Sequence, residues 1–188
     1  MFWIVQSILL SFSLAMDATA VSMTNGLVEP QMKKKKMLLI AAMFGIFQGI
    51  MPLIGYLCGS IFEKWIANVV PIIGFIILSF IGGKMIYEAI KHGDEEKKDL
   101  TLKVILIQAV ATSIDALTVG IVYVGSPQVE VFTTFLLIAV ITFICCIFAI
   151  LIGRKFGDKL SNKAEILGGI ILICIALKIL IEFLINVL

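Results

Sequence analysis

Histidine is almost missing from this sequence. The single one, His92, sits in a polar stretch, so the apolar segments cannot assemble a histidine-rich zinc or nickel site. Cysteine is scarce as well. Cys58, Cys145, Cys146 and Cys174 lie inside apolar runs and never at CxxC spacing, which points to packing as small hydrophobes and gives no disulfide framework. Charge is low: 15% of the 188 residues are charged, the net charge is +2, and no basic patch suits a nucleic-acid partner. No nucleotide-binding motif occurs, which leaves no ATP-driven chemistry to invoke. What is abundant is apolar side chain, 61% of the residues with a mean hydropathy of +1.12, beyond the range of an average soluble domain. The chain reads as an all-α integral membrane protein.

Six apolar segments follow one another. Residues 2–27 can cross a hydrocarbon core of about 30 Å at about 1.5 Å per residue. Ser13-Leu14-Ala15 faintly resembles a signal cleavage site, but no basic segment precedes it and the apolar run continues, so helix 1 is expected to be retained. Residues 37–62 form a second span, with Gly45, Gly49, Gly55 and Gly59 spaced for close helix approach. Pro71 is expected in the first turn of a third span ending near Ile90. Residues 91–103 are the most hydrophilic stretch and make the midpoint linker, whose Asp94, Glu95, Glu96 and Asp99 read as a solvated loop rather than a metal collector. Helices over about 104–124, 131–152 and 164–187 follow, joined by a turn at Gly125-Ser126-Pro127-Gln128 and a basic connection over 154–163.

The two halves, 1–90 and 104–188, repeat each other within one membrane domain. A shift of 98 lays Asp17-Ala18 on Asp115-Ala116 and Gly55 on Gly153; a shift of 94 lays the segment from Ile72 on that from Ile166 with eight of nineteen positions identical, among them Gly74 on Gly168, Lys84 on Lys178 and Glu88 on Glu182. Each half holds three helices, an odd number, so the second must enter the membrane from the opposite side. Two inverted three-helix repeats are a transporter architecture, with the site near the midplane where they meet. Connections one, three and five hold four Lys or Arg each, against Lys64 alone on the other side; this bias puts both termini outside the cytoplasm. The run Lys33 to Lys36 serves topology and contact with anionic lipid.

Asp17 and Asp115 each interrupt an apolar run. A carboxylate there costs about 2.5 to 3.5 kcal/mol on insertion scales, so ion or proton handling is the default hypothesis. Asp17 is sixteenth from Phe2 and Asp115 twelfth from Val104, which puts both close to mid-depth. Gln6, Ser13, Asp17 and Thr24 follow one face of helix 1, Gln108, Thr112 and Asp115 share a face of helix 4, and Gln48 could lend a carbonyl oxygen, although hydroxyls more often bond their own helix backbone. Two carboxylates with amide and hydroxyl oxygens suit a hard divalent cation. Met16 adjoins Asp17, but neighbouring helix positions point about 100 degrees apart, which favours packing over a thioether ligand. Lys84 and Lys178 each precede an acid by four residues, Glu88 and Glu182; either these are local ion pairs, or Lys84 or Glu88 faces the cavity and exchanges partners with the aspartates. Neither aspartate sits in a GxGD-type motif, which argues against an intramembrane aspartyl protease, and the chain is expected to be a transporter rather than an enzyme. An exporter of amino acids or another organic cation is the remaining rival, disfavoured by two carboxylates with only Lys84 to meet a substrate carboxylate.

AMDATAVS from Ala15, FGIFQGIMPLIGY from Phe44, GGKMIYE from Gly82, ATSIDALTVG from Ala111 and AEILGG from Ala164 together resemble the bacterial manganese efflux pump family of the lysine exporter superfamily. The resemblance covers nearly the whole chain; it is looser at Gln48, where some members carry an acid, and at Lys178 and Glu182, a pair that is not general. It implies a six-helix exporter of Mn²⁺ in the bacterial plasma membrane, with Asp17 and Asp115 as its intramembrane acids and Lys84 and Glu88 matching a recurrent base and acid of helix 3. Mn²⁺ is then cargo and no cofactor is implied. The partners are the ion and the lipid bilayer, and nothing in the sequence fixes an oligomeric state. Exchange with protons at the two aspartates is the expected driving reaction.

Overall fold

The computed structural model describes residues 2–58, 63–92, 100–160 and 163–187. They form α1 (Phe2–Val28), α2 (Lys34–Cys58), α3 (Glu63–His92), α4 (Leu102–Thr112), α5 (Ile114–Val122), α6 (Gln128–Leu160) and α7 (Lys163–Val187), with no strand among the described residues. Among the described residues five stretches are long and apolar enough to cross a membrane: Trp3–Val28, Lys34–Cys58, Leu102–Val122, Gln128–Phe156 and Ile166–Ile185. The third expected span is the long helix α3, whose described apolar part is the shorter Phe75–Tyr87.

The structure corrects three boundaries. The fourth span is not one helix: Ser113 interrupts it, leaving α4 and α5 as two pieces. α3 begins at Glu63, so Pro71 lies inside it rather than at its first turn. α6 runs on to Leu160, so most of the basic connection over 154–163 is helical. The midpoint linker lies largely outside the described residues. What is described of it ends in Thr101, an extended N-cap whose side chain accepts from the Val104 N–H at 3.4 Å and starts α4. Between α5 and α6, Gly125 takes φ 89°, a left-handed turn that a side chain would strain.

In lipid no hydrophobic force draws helices together, so close backbone approach must supply the contact. α1 packs chiefly along α6, α2 along α5 and α6, and α3 along α7. At the α1–α6 crossing a Cβ on Gly153 would meet the Met23 carbonyl, and one on Gly26 the Ile150 carbonyl. At the α2–α5 crossing a Cβ on Gly120 would meet the Pro52 carbonyl, and one on Gly55 that of Leu117. The outer surface is apolar, with Leu9, Phe12, Phe80, Leu136 and Phe148 more than half exposed, as a bilayer-facing surface requires.

One end of the bundle is polar. Lys36 donates to Glu29, which also accepts from the Leu100 N–H at 3.1 Å, while Arg154 donates to the Pro30 carbonyl at 2.6 Å. Parts of connections one, three and five therefore meet at this end.

Candidate functional site

The buried apolar residues fall into two clusters. One is built on Ala18, Phe44, Ala111, Cys146 and Ile175 among others; the other on Leu14, Ala116, Val131, Phe135 and Ile138. The seam between them crosses α1 between Leu14 and Ala18, α2 between Phe44 and Met51, α4–α5 between Ala111 and Ala116, and α6 between Ile138 and Cys146. In those intervals lie Asp17, Gln48, Thr112, Ser113, Asp115 and Thr142. The sequence thus places a polar layer across the interior.

Asp17, nearly buried on α1, accepts a hydrogen bond and ion pair at 2.9 Å from the Lys178 ammonium on α7. Asp115 sits in the first turn of α5, where its Oδ1 accepts from the Ala116 N–H at 2.8 Å. The charges of both Asp17 and Lys178 act on it, so the two carboxylates and the ammonium share one electrostatic neighbourhood.

Gln48, 1% exposed, donates from Nε2 to the Leu14 carbonyl at 2.8 Å, one turn before Asp17, and its Oε1 has no hydrogen-bond partner among the described residues. Pro52, inside α2, has no N–H to offer the backbone carbonyl of Gln48 four residues earlier. Thr142 Oγ1 on α6 is likewise buried without a partner among the described residues. Buried acceptors left unpaired cost roughly 1 to 3 kcal/mol each, which marks these oxygens as groups available to a ligand.

The other sequence candidates divide. Thr112 is buried, but its hydroxyl donates to the carbonyls of Gln108 and Ala109, and Ser113 to those of Ala109 and Val110. Such back-bonding at successive positions accompanies the break in the span. Ser13 and Gln6 are exposed on the outer side of α1. The polar stripe of α1 that turns inward is instead Ser7, Ser11, Ser22 and Asn25, with Ser7 bonded to Thr134 of α6 at 2.8 Å and Asn25 donating to Gln108 of α4 at 2.9 Å. Lys84 is exposed on α3, and the side chains of Glu88 and Glu182 lie outside the described ones. Thus the lysine at Asp17 is Lys178, the repeat counterpart of Lys84. Among the described residues no three His, Cys, Asp or Glu side chains gather, so a cation here would rest on two carboxylates completed by neutral oxygens.

Residues 31–180 match the model of a family described as "Putative manganese efflux pump". The chain belongs to the manganese efflux pump family. A manganese efflux pump family protein of Ruminiclostridium cellulolyticum is 47% identical over 178 residues, covering 93% of this chain and 94% of its own. Relatives from Clostridium perfringens and Clostridium botulinum, bearing the same family name, are 41% and 43% identical, each over 95% of this chain and 94% of their own. No solved structure matches. The segment matched by the family model takes in Gln48, Thr112, Asp115, Thr142 and Lys178; Asp17, on α1, precedes it.

Proposed function

We propose that this chain exports Mn²⁺ from the cytoplasm across the bacterial plasma membrane, in exchange for protons, at a midplane site built on Asp17 and Asp115. Cargo and direction come from the names of the relatives, which call them manganese efflux pumps. The observation in this chain that carries the reading is the polar layer, in which Asp17 on α1 and Asp115 on α5 share one electrostatic neighbourhood and Gln48, bonded to the Leu14 carbonyl one turn before Asp17, holds an Oε1 unpaired among the described residues. Hard divalent cations take oxygen ligands of this kind. Thr112 and Ser13 are weaker candidates, the first spending its hydroxyl on its own backbone and the second facing outward.

Moving a divalent cation outward against an inside-negative potential of about 100 mV costs about 4.6 kcal/mol, twice the single-charge figure of about 2.3. Without a nucleotide motif, protons are the available driving ion. Two carboxylates can hold either one Mn²⁺ or up to two protons, and exchanging the two loads moves no net charge. Two inverted repeats with both termini outside the cytoplasm complete the reading. It is supported by the paired glycine crossings of α1 on α6 and α2 on α5, and by the meeting of connections one, three and five at one end.

The test is Mn²⁺ movement in inverted vesicles. Asp17→Asn and Asp115→Asn should each abolish it while leaving the protein in the membrane, and wild-type exchange should follow an imposed pH gradient and respond little to voltage alone. Transport surviving both substitutions would reject the shared site; transport driven by voltage without a pH gradient would reject neutral exchange.

A further inference from the structure

We infer that Lys178 is a built-in counter-cation: its ammonium occupies the Asp17 carboxylate whenever neither a divalent ion nor a proton does, and Mn²⁺ loads by displacing it. This rests on the reading of Asp17 as a cargo ligand. Three observations lead to it. The ammonium lies 2.9 Å from Asp17 Oδ1, on the lone pairs a metal would need. A hard cation sits about 2.0 to 2.6 Å from a carboxylate oxygen, where its charge repels an ammonium sharing that oxygen, so lysine and metal exclude each other. The side chains are unequally held: that of Asp17 is 12% exposed and that of Lys178 48%. A carboxylate fixed in the interior faces an ammonium on a long flexible, half-exposed stem, and the ammonium is the partner able to leave.

Asp115 is held differently, through the Ala116 amide, and feels Lys178 only at longer range. Displacing the ammonium therefore frees one ligand of the pair. The consequence is functional: once its protons have left, the site can await metal without exposing a bare Asp17 carboxylate to a low-dielectric interior, which would otherwise be costly. Lys178 is a positioning residue here, trading tight binding for turnover.

The experiment uses the full chain in detergent micelles and Mn²⁺ as the probe. Lys178→Gln should bind Mn²⁺ about tenfold more tightly than wild type by calorimetry, the gain that follows from removing a competitor of modest strength, whereas Lys178→Arg, which keeps a cation on Asp17, should stay close to wild type. In vesicles Lys178→Gln should lower KM and lower kcat, a split that damage to the fold does not produce. Should Lys178→Gln fail to fold, the wild-type protein still decides: saturating Mn²⁺ should raise labelling of Lys178 by an amine-reactive reagent several-fold, read by mass spectrometry. Unchanged or weaker Mn²⁺ affinity in a folded Lys178→Gln protein, or unchanged labelling of wild-type Lys178 at saturation, would overturn the inference while leaving the Asp17 site standing. Mn²⁺ binding that Asp17→Asn leaves intact would overturn both.

Discussion

Replacing Gly120 by alanine tests whether the site depends on the α2–α5 crossing. The added methyl would meet the Pro52 carbonyl oxygen, with the Pro52 carbonyl carbon at 2.7 Å and its Cα at 2.8 Å. These are backbone atoms in the middle of α2, so no side chain can swing aside. Restoring ordinary carbon contacts of about 3.5 Å requires the two helices to part by about 1 Å. Overpacking of this kind costs about 1 to 3 kcal/mol, against which alanine regains at most about 1 kcal/mol of helix propensity over glycine. With the full regain the net loss is up to about 2 kcal/mol, which should lower the midpoint of thermal unfolding in detergent by up to about 8 °C for a chain of this size. Transport should fall further than stability, because Asp115 lies on the same short helix, five residues before Gly120, and Gln48 one turn before Pro52. Gly83→Ala is the control: a Cβ there meets nothing within 4 Å, so it should be neutral or slightly stabilising. Gly120→Ala protein with wild-type melting and wild-type Mn²⁺ transport would refute the reasoning, since the crossing would then tolerate a methyl on its closest contact.

Two further outcomes are expected. Asn25→Ala leaves the buried Gln108 Oε1 without its donor and should destabilise the protein by about 1 to 3 kcal/mol in detergent unfolding, with Asn25→Ala/Gln108→Ala costing less than the sum of the single changes. In a cysteine-free background, cysteine at Lys34 or Lys155 should resist a membrane-impermeant thiol reagent in intact cells while cysteine at Ser126 reacts, as the basic bias of connections one, three and five requires; the reverse pattern would invert the topology.

The sequence showed the helices well and their faces poorly, for a physical reason. A run such as Phe2–Val28 reveals itself by length and hydropathy alone, and the membrane aspartates stand out because each is costly where it sits. Which side of a membrane helix turns inward is another matter, since lipid tails and protein interior are equally apolar and no hydrophobic stripe separates them. Hence Gln6 and Ser13 were expected on the inner face and are exposed, while Ser7, Ser11 and Asn25, one position away in phase, are buried. The break at Ser113 carries no glycine or proline; its sign was the adjacent pair Thr112-Ser113, whose hydroxyls bond back to the preceding turn. The repeat gave Lys84 and Lys178 equal standing, and only the packing of α7 on α1 put Lys178 at Asp17. Thr142, in an apolar helix with other hydroxyls, offered no signal until its lack of a partner could be seen.

That break makes the two aspartates unlike in a way their matching motifs conceal. Asp17 lies deep in α1, an unbroken helix of 27 residues, and its charge is balanced by a side chain from another helix. Asp115 opens α5, a piece of nine residues whose amino-terminal end carries the partial positive charge of unpaired N–H groups, and one such group, from Ala116, bonds its carboxylate. Each carboxylate thus already has a positive partner, one a removable ammonium and the other a fixed dipole. Under the exchange reading, once the protons have left, a metal arriving between them has to evict only the first. The same asymmetry extends to the packing: α1 meets α6 by backbone contact at Gly26 and Gly153, whereas α5, the nine-residue piece beyond Ser113, meets α2 at Gly55 and Gly120. The two carboxylates thus belong to different helix pairs, one on an unbroken helix and one on a half-helix, and transporters commonly build their sites from discontinuous helices.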